Sequence, residues 1–437
     1  MKKSFQIIAI ISLTFTGFTV KGQEKLTLSE AVQLALKNNY DILLSANDVE
    51  IAKTNVSRGN AGMLPSVNGT LNTNSSISNT DQELSNGQSQ SRNGVKNSNM
   101  NYGVSLNWRI FDGFGMFAAY DRLKAQQSLG ETQFRFTVQN NVADVINNYY
   151  TLVKQQQDVK ASKTAVELSR FRVNNANNRY QIGRAAKLEV LQATVDLNAD
   201  TTTLLRRIDL YRTTKVRLNE LMARDLKTDF VVEDSIPLYN TLLLTELEVL
   251  ADQQNPTLQA AIINQRIAAL NLKEVKADRY PQLTLNSGYN FTNSQSPLGF
   301  ARTSSGQGFN YGLSASINIF NGFNQRRNEK IANIEINSSL LEYERLTQNV
   351  KAQLTSHYQT YITNLQLVKL EAENVSVSKQ TLEITLEKLK YGTLTPLEFR
   401  EAQSNYIEAL ARYTDAQYQA KISEVTLREI AGSVSFE

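Results

Sequence analysis

The chain has no cysteine, one histidine, one tryptophan and only 6 prolines among 437 residues. Without cysteine there is no disulfide, thiolate metal site, thiol nucleophile or lipidated N-terminal cysteine. A lone imidazole, His357, leaves almost nothing for histidine catalysis or a metal cage. No phosphate loop and no nucleophile–base pair stands out by motif, so an enzyme fails on inventory and no cofactor is expected. Long apolar runs are scarce as well. Beyond the N-terminus, no stretch approaches the about 20 residues of a membrane helix, so any membrane entry must use strands.

Residues 1–22 read as a secretory signal peptide. Lys2 and Lys3 are its basic start, Ile7 to Val20 its apolar run, and Val20-Lys21-Gly22 its small-residue exit. Its loss takes three lysines and drops the formal charge from +4 to +1, which gives no reason to expect a nucleic-acid partner.

An internal repeat organises the rest. Ile110-Phe111-Asp112-Gly113-Phe114 recurs as Ile319-Phe320-Asn321-Gly322-Phe323, an offset of 209. The same offset pairs Tyr149 with Tyr358, Gly183 with Gly392 and Leu188-Glu189 with Leu397-Glu398. Upstream the offset is 216, pairing Asn39 with Asn255 and Pro65 with Pro281, so the first hairpin is the longer one. The first repeat spans 23–222, with strands over 66–78 and 99–111, a long helix over 115–179 and a returning helix over 187–222. A linker follows at 223–244. The second repeat spans 245–437, with strands over 282–293 and 308–320 and helices over 323–389 and 396–431. Thr27-Leu28-Ser29-Glu30 opens a short amphipathic helix with Ser29 as its cap. A second helix runs from Asp41 to Leu64 and stops at Pro65.

The strands alternate strictly. Met100, Tyr102, Val104, Leu106, Trp108 and Ile110 sit between Asn101, Gly103, Ser105, Asn107 and Arg109. Leu283, Leu285, Tyr289 and Phe291, and then Phe309, Tyr311 and Leu313, repeat the pattern. A soluble sheet with one face on a core would alternate too. Here the polar face is uncharged amide and hydroxyl, and aromatics crowd the strand ends, as in a transmembrane strand between lipid and a wet lumen. Four strands cannot close, so strands are pooled between chains. Eight would be filled by their own side chains, and a conducting pore favours three or more chains. The polar segment from Ser75 to Asn99 reads as a loosely ordered external loop.

The long helices lack proline and would each extend about 100 Å. Leu346, Val350, Leu354, Tyr358, Tyr361, Leu365 and Val368 recur at mostly three and four, the spacing of a coiled-coil seam. Each helix ends in a glycine turn, Tyr180-Gln181-Ile182-Gly183 or Lys390-Tyr391-Gly392-Thr393.

This duplicated plan, the strand starts after Pro65 and Pro281, the F-[DN]-G-F motifs and the two tip turns together resemble the TolC family of outer-membrane efflux proteins. The resemblance covers essentially all of the mature chain. It implies a mixed α and β membrane protein, trimeric, with a 12-stranded β-barrel and a 12-helix α-barrel. The family's partners would be a periplasmic adaptor, an inner-membrane pump of RND or ABC type, and outer-membrane lipid. Its role would be a passive exit duct for small molecules or proteins, in the outer membrane of a Gram-negative-type bacterium. Gly183, Gly392, Tyr391 and Ile182 would dock the adaptor. Aligned on Gly392, the acids at the closed mouth would be Glu398 and Glu401, with Glu189 in the first repeat. The same glutamates also suit a helix N-terminus as first-turn acids, and both roles stand open. Where the family carries a polar latch this chain has Leu389 and Leu394. A structural or adhesive coiled-coil rod is the alternative, but it leaves four alternating strands without a purpose.

Overall fold

The computed structural model describes residues 24–238, 242–297 and 301–434. The expected signal peptide, residues 1–22, lies outside the described residues. In chain order the elements are β1 (Glu24–Lys25), α1 (Leu28–Asn38), α2 (Tyr40–Asn55), β2 (Ser66–Glu83), β3 (Ser89–Phe111), α3 (Gly115–Gln181) and α4 (Lys187–Leu221). They continue with β4 (Phe230–Val231), α5 (Leu244–Gln254), α6 (Pro256–Ala277), β5 (Gln282–Gln295), β6 (Thr303–Ser316), α7 (Asn324–Lys390) and α8 (Pro396–Ile430). Among the described residues no helix is long and apolar enough to cross a membrane.

α3 and α7 hold 67 residues each and rise about 100 Å. α4 packs on α3, α3 on α8 and α8 on α7, while α6 bridges α3 and α7 nearer the strands. The apolar seam of α7 is where the heptad-like spacing puts it. Val350, Leu354 and Tyr361 form a buried cluster with Leu247, Leu258 and Leu427, and Leu346, Tyr358 and Leu365 pack against it. In the first repeat Val142, Val145, Tyr149 and Leu152 do the same with Leu26, Val32, Leu218 and Phe230. Burial pushes the Tyr149 hydroxyl up to about 12, so it remains a donor, to the Leu26 carbonyl at 3.0 Å. Tyr358 repeats the bond on Leu242 at 3.2 Å.

β2, β3, β5 and β6 form one antiparallel sheet in that order, with β2 and β6 at its edges. Its hairpins feed the helices through the F-[DN]-G-F motif, whose physical content is two successive left-handed residues. Gly113 (φ 71) precedes Phe114 (φ 68), and Gly322 (φ 65) precedes Phe323 (φ 62). Glycine takes that conformation freely and phenylalanine does not, so each turn stores strain. The preceding side chain caps the new helix. Asp112 accepts from Met116 N at 3.1 Å and Asn321 from Gln325 N at 3.3 Å.

Four local expectations need correction. Thr27, not Ser29, caps α1, because Glu30 three residues on completes a reciprocal capping box with it. α2 ends at Asn55 rather than Leu64. The Asn55 carbonyl is taken by Ser57 N and the Asn60 amide, and Gly62 turns left-handed. The segment from Ser75 to Asn99 is largely paired strand, closing through Leu84 N to Gln88 O at 2.8 Å with Gly87 at φ 80. β6 stops at Ser316 because its partner begins at Gln282, directly after Pro281, which has no N–H to extend the ladder.

Candidate functional site

Two places carry chemistry a channel could use: the sheet and the helical tip. Register aligns the alternating faces across all four strands. Leu71 pairs with Tyr102, Tyr102 with Phe291, Val104 with Tyr289 and Leu285 with Leu313. The Tyr102 and Phe291 rings stack with centroids 4.8 Å apart. One face is therefore mostly aliphatic and aromatic, interrupted by Ser287, beside Leu106 and Tyr311, and by Gln307, beside Phe291. The other is an amide ladder: Asn107 donates to Asn286 at 2.9 Å, Asn286 to Ser314 at 3.2 Å and Asn290 to Asn310 at 2.9 Å. Trp108 donates to the Met63 carbonyl at 2.9 Å, tying the base of the sheet to the segment after α2.

At the other end, both hairpin turns are full Schellman motifs. Arg184 N reaches Arg179 O at 2.8 Å and Gly183 N reaches Tyr180 O; Thr393 N reaches Lys388 O at 3.0 Å and Gly392 N reaches Leu389 O. Gly183 and Gly392 supply the left-handed residue, at φ 74 and φ 72. Ile182 and Tyr391 stand exposed at the turns. Leu389 and Leu394 pack in an apolar cluster around the buried Phe399, with Leu168, Phe171 and Leu382. Apolar contact thus occupies the positions where a polar latch was absent.

The three acids are treated differently. Glu189 is half-buried and paired with Arg179 at 2.9 Å. Glu398 accepts from the Thr395 backbone at 3.0 Å and hydroxyl at 2.8 Å, a capping box that starts α8. Those two bonds hold its carboxyl below the usual range, the backbone bond most. Glu401 is exposed and carries no ion pair among the described residues. Glu189 lines a cavity of about 530 Å³ with Leu188, Leu191, Leu389, Leu397 and Arg400; Glu398 and Glu401 stand outside it.

One cluster above the tip was not read from the sequence. Arg172 of α3, 6% exposed, meets Asp196 of α4 at 3.2 Å. Arg400 of α8 pairs with the same carboxylate. Ser169 donates to Asp200, and Gln403 of α8 donates to Ser169 at 3.1 Å and to the Ala165 carbonyl at 3.1 Å. Burial pushes the Arg172 guanidinium down, Arg400 adds to that and Asp200 opposes it. The cluster joins the two repeats near the helical tip. The signal available in the sequence was only placement, Arg172 and Asp196 lying at similar distances either side of Gly183.

A sheet with one lipid-compatible face and one amide face, carried on helical hairpins of about 100 Å and built twice in one chain, defines an outer-membrane channel subunit of the TolC-like fold. A family model for outer membrane efflux proteins matches residues 31–224 and 247–433, and the chain belongs to that family. It is 21% identical over 417 residues to the outer membrane protein TolC of Vibrio cholerae, covering 93% of this chain and 91% of that protein. Its fold is similar to the Campylobacter jejuni CmeC outer membrane channel, with a TM-score of 0.77 at 16% identity over 93% of this chain and 85% of that one. A membrane protein from Pseudomonas aeruginosa gives 0.76 at 17% identity over 93% and 90%.

Proposed function

We propose that three copies of this chain form a passive exit duct through the outer membrane, with a long periplasmic extension. The observation that carries this is the open sheet. β2 and β6 are unpaired edges on a sheet whose outer face suits lipid, and lipid does not tolerate free backbone donors and acceptors. Three four-stranded sheets give a 12-stranded barrel wide enough to conduct. The outermost helices support the same assembly: α4 exposes Leu188, Leu191, Val195 and Leu205, and α7 exposes Leu367, Leu370, Val377 and Ile384. These stripes would meet between neighbours and close a 12-helix tunnel.

The duct would work in a tripartite export system, docking through Ile182, Gly183, Tyr391 and Gly392 onto a periplasmic adaptor that joins it to an inner-membrane pump of RND or ABC type. The cargo would be small molecules or proteins. Glu398, Glu401 and Glu189, repeated about a threefold axis, would ring the periplasmic mouth with negative charge. Mass measurement in detergent with single-channel recording tests the assembly. A trimer that conducts is expected; a stable monomer with its β signal intact overturns it.

A further inference from the structure

We propose that the start of α7 binds the phosphate headgroup of an anionic phospholipid in the periplasmic leaflet; this rests on the strands crossing the membrane as described above. Between the end of β6 and α7 the chain presents Ile319, Phe320 and Phe323 at 93%, 71% and 70% exposure. The two phenylalanine rings meet edge to face at 5.3 Å. Such a surface, where a lipid-crossing strand ends, belongs at the boundary of acyl chains and headgroups.

Directly beyond it stand Arg326, Arg327 and Lys330, exposed and spaced to share one helix face. Arg326 and Lys330 carry no ion pair among the described residues, and Arg327 has only the Asn328 side chain at 3.4 Å. Neighbouring arginines are spent otherwise: Glu329 holds Arg279, and Glu274 holds Arg122 at 2.6 Å. A cavity of about 480 Å³ opens beside the apolar tongue, lined by Phe320, Phe323, Gln325, Arg279 and, of the three basic residues, Arg326, with Asp278 its single carboxylate.

The first repeat serves as an internal control. At the offset of 209, Arg326, Arg327 and Lys330 correspond to Phe117, Ala118 and Asp121. That repeat makes the same strand-to-helix turn with Phe114 and Phe117 exposed, and its nearest basic residues on the helix, Arg122 and Lys124, are paired with Glu274 and Asp121. The turn therefore does not require the arginines. A guanidinium fork takes phosphate oxygens bidentately, and basic residues beside a membrane attract anionic lipid. A phosphate immediately beside acyl chains is the one ligand that matches both halves of this surface.

The test is native mass spectrometry of the assembled full-length protein released from nanodiscs holding phosphatidylglycerol and phosphatidylcholine in equal amounts. The unaltered protein should retain phosphatidylglycerol in preference. Arg326→Gln with Arg327→Gln should lower that preference about fivefold or more, with assembly and conductance unchanged. Equal retention of both lipids, or an unchanged preference in the double variant, overturns the site. Release of the lipid by excess inorganic phosphate would mark a free-phosphate site and overturn it too. Loss of assembly with the lipid preference intact would assign the arginines to a neighbouring copy instead. Failure of the unaltered protein to enter nanodiscs at all would sink the membrane-crossing strands, and the site with them.

Discussion

Asn39 donates its side-chain amide to the Leu221 carbonyl at 2.9 Å while its own oxygen accepts from Asp41 N and Ile42 N. One residue thus caps α2 and ties it to the end of α4. Asn255 does the same between α6 and Ile430, at 2.8 Å. The pairing of these two asparagines in the sequence repeat is a pairing of joints.

Asn39→Ala should therefore cost about 2–3 kcal/mol, about 1 for the cap and the rest for the buried carbonyl left without its donor. Asn39→Ser keeps a capping oxygen but not the reach to Leu221, and should cost about half as much. Denaturant unfolding of both variants checks this; equal losses would show that the bond to Leu221 alone matters and the cap contributes nothing.

The two F-[DN]-G-F glycines should respond unequally. A Cβ on Gly113 would stand 2.4 Å from the Ala277 carbonyl, whereas one on Gly322 meets nothing within 4 Å. Gly322→Ala should cost about 1–2 kcal/mol from its left-handed backbone alone. Gly113→Ala should cost clearly more, because α6 would have to move. Thermal melting of the two variants side by side decides it.

On the sheet, Leu106→Arg should destabilise by roughly 2–4 kcal/mol if the residue sits near the lipid midplane. Arg at Asn101 or Ser105, on the amide face, should be tolerated and alter conductance. Spin labels at both sets report directly: equal water exposure at Leu106 and Asn107 would remove the lipid-facing assignment.

At the tip, Glu398→Gln with Glu401→Gln should weaken divalent block and cation preference in single-channel recordings, with assembly unchanged. Glutamine at the third position still completes a capping box, so α8 should start as before. Because the Glu398 carboxyl is held low, its contribution to the α8 start is present above about pH 4.5 and fades as pH falls through the lowered value. The glutamine variant should lose that dependence. Leu394→Arg adds a partner for these acids and should slow opening. Selectivity and block untouched by the double variant would leave the glutamates as helix-end acids.

Much of this protein is written in periodicity. Alternation of Asn and Ser with Tyr, Val and Leu, and apolar spacing of three and four from Leu346 to Val368, determine strands and a helix because each pattern has one backbone period that segregates its faces. The repeat offsets likewise mark the joints at Asn39 and Asn255 and the turns at Gly183 and Gly392. Tertiary structure decided what has no local period. Ser75 to Asn99 carries too few apolar residues to announce a strand, yet it pairs because each half faces the other across a tight turn and satisfies its own backbone. α2 stops early because Asn60 and Ser57 compete for the Asn55 carbonyl. The union of Arg172, Asp196 and Arg400 needs α3, α4 and α8 side by side, and only packing brings charges so distant in the chain onto one carboxylate.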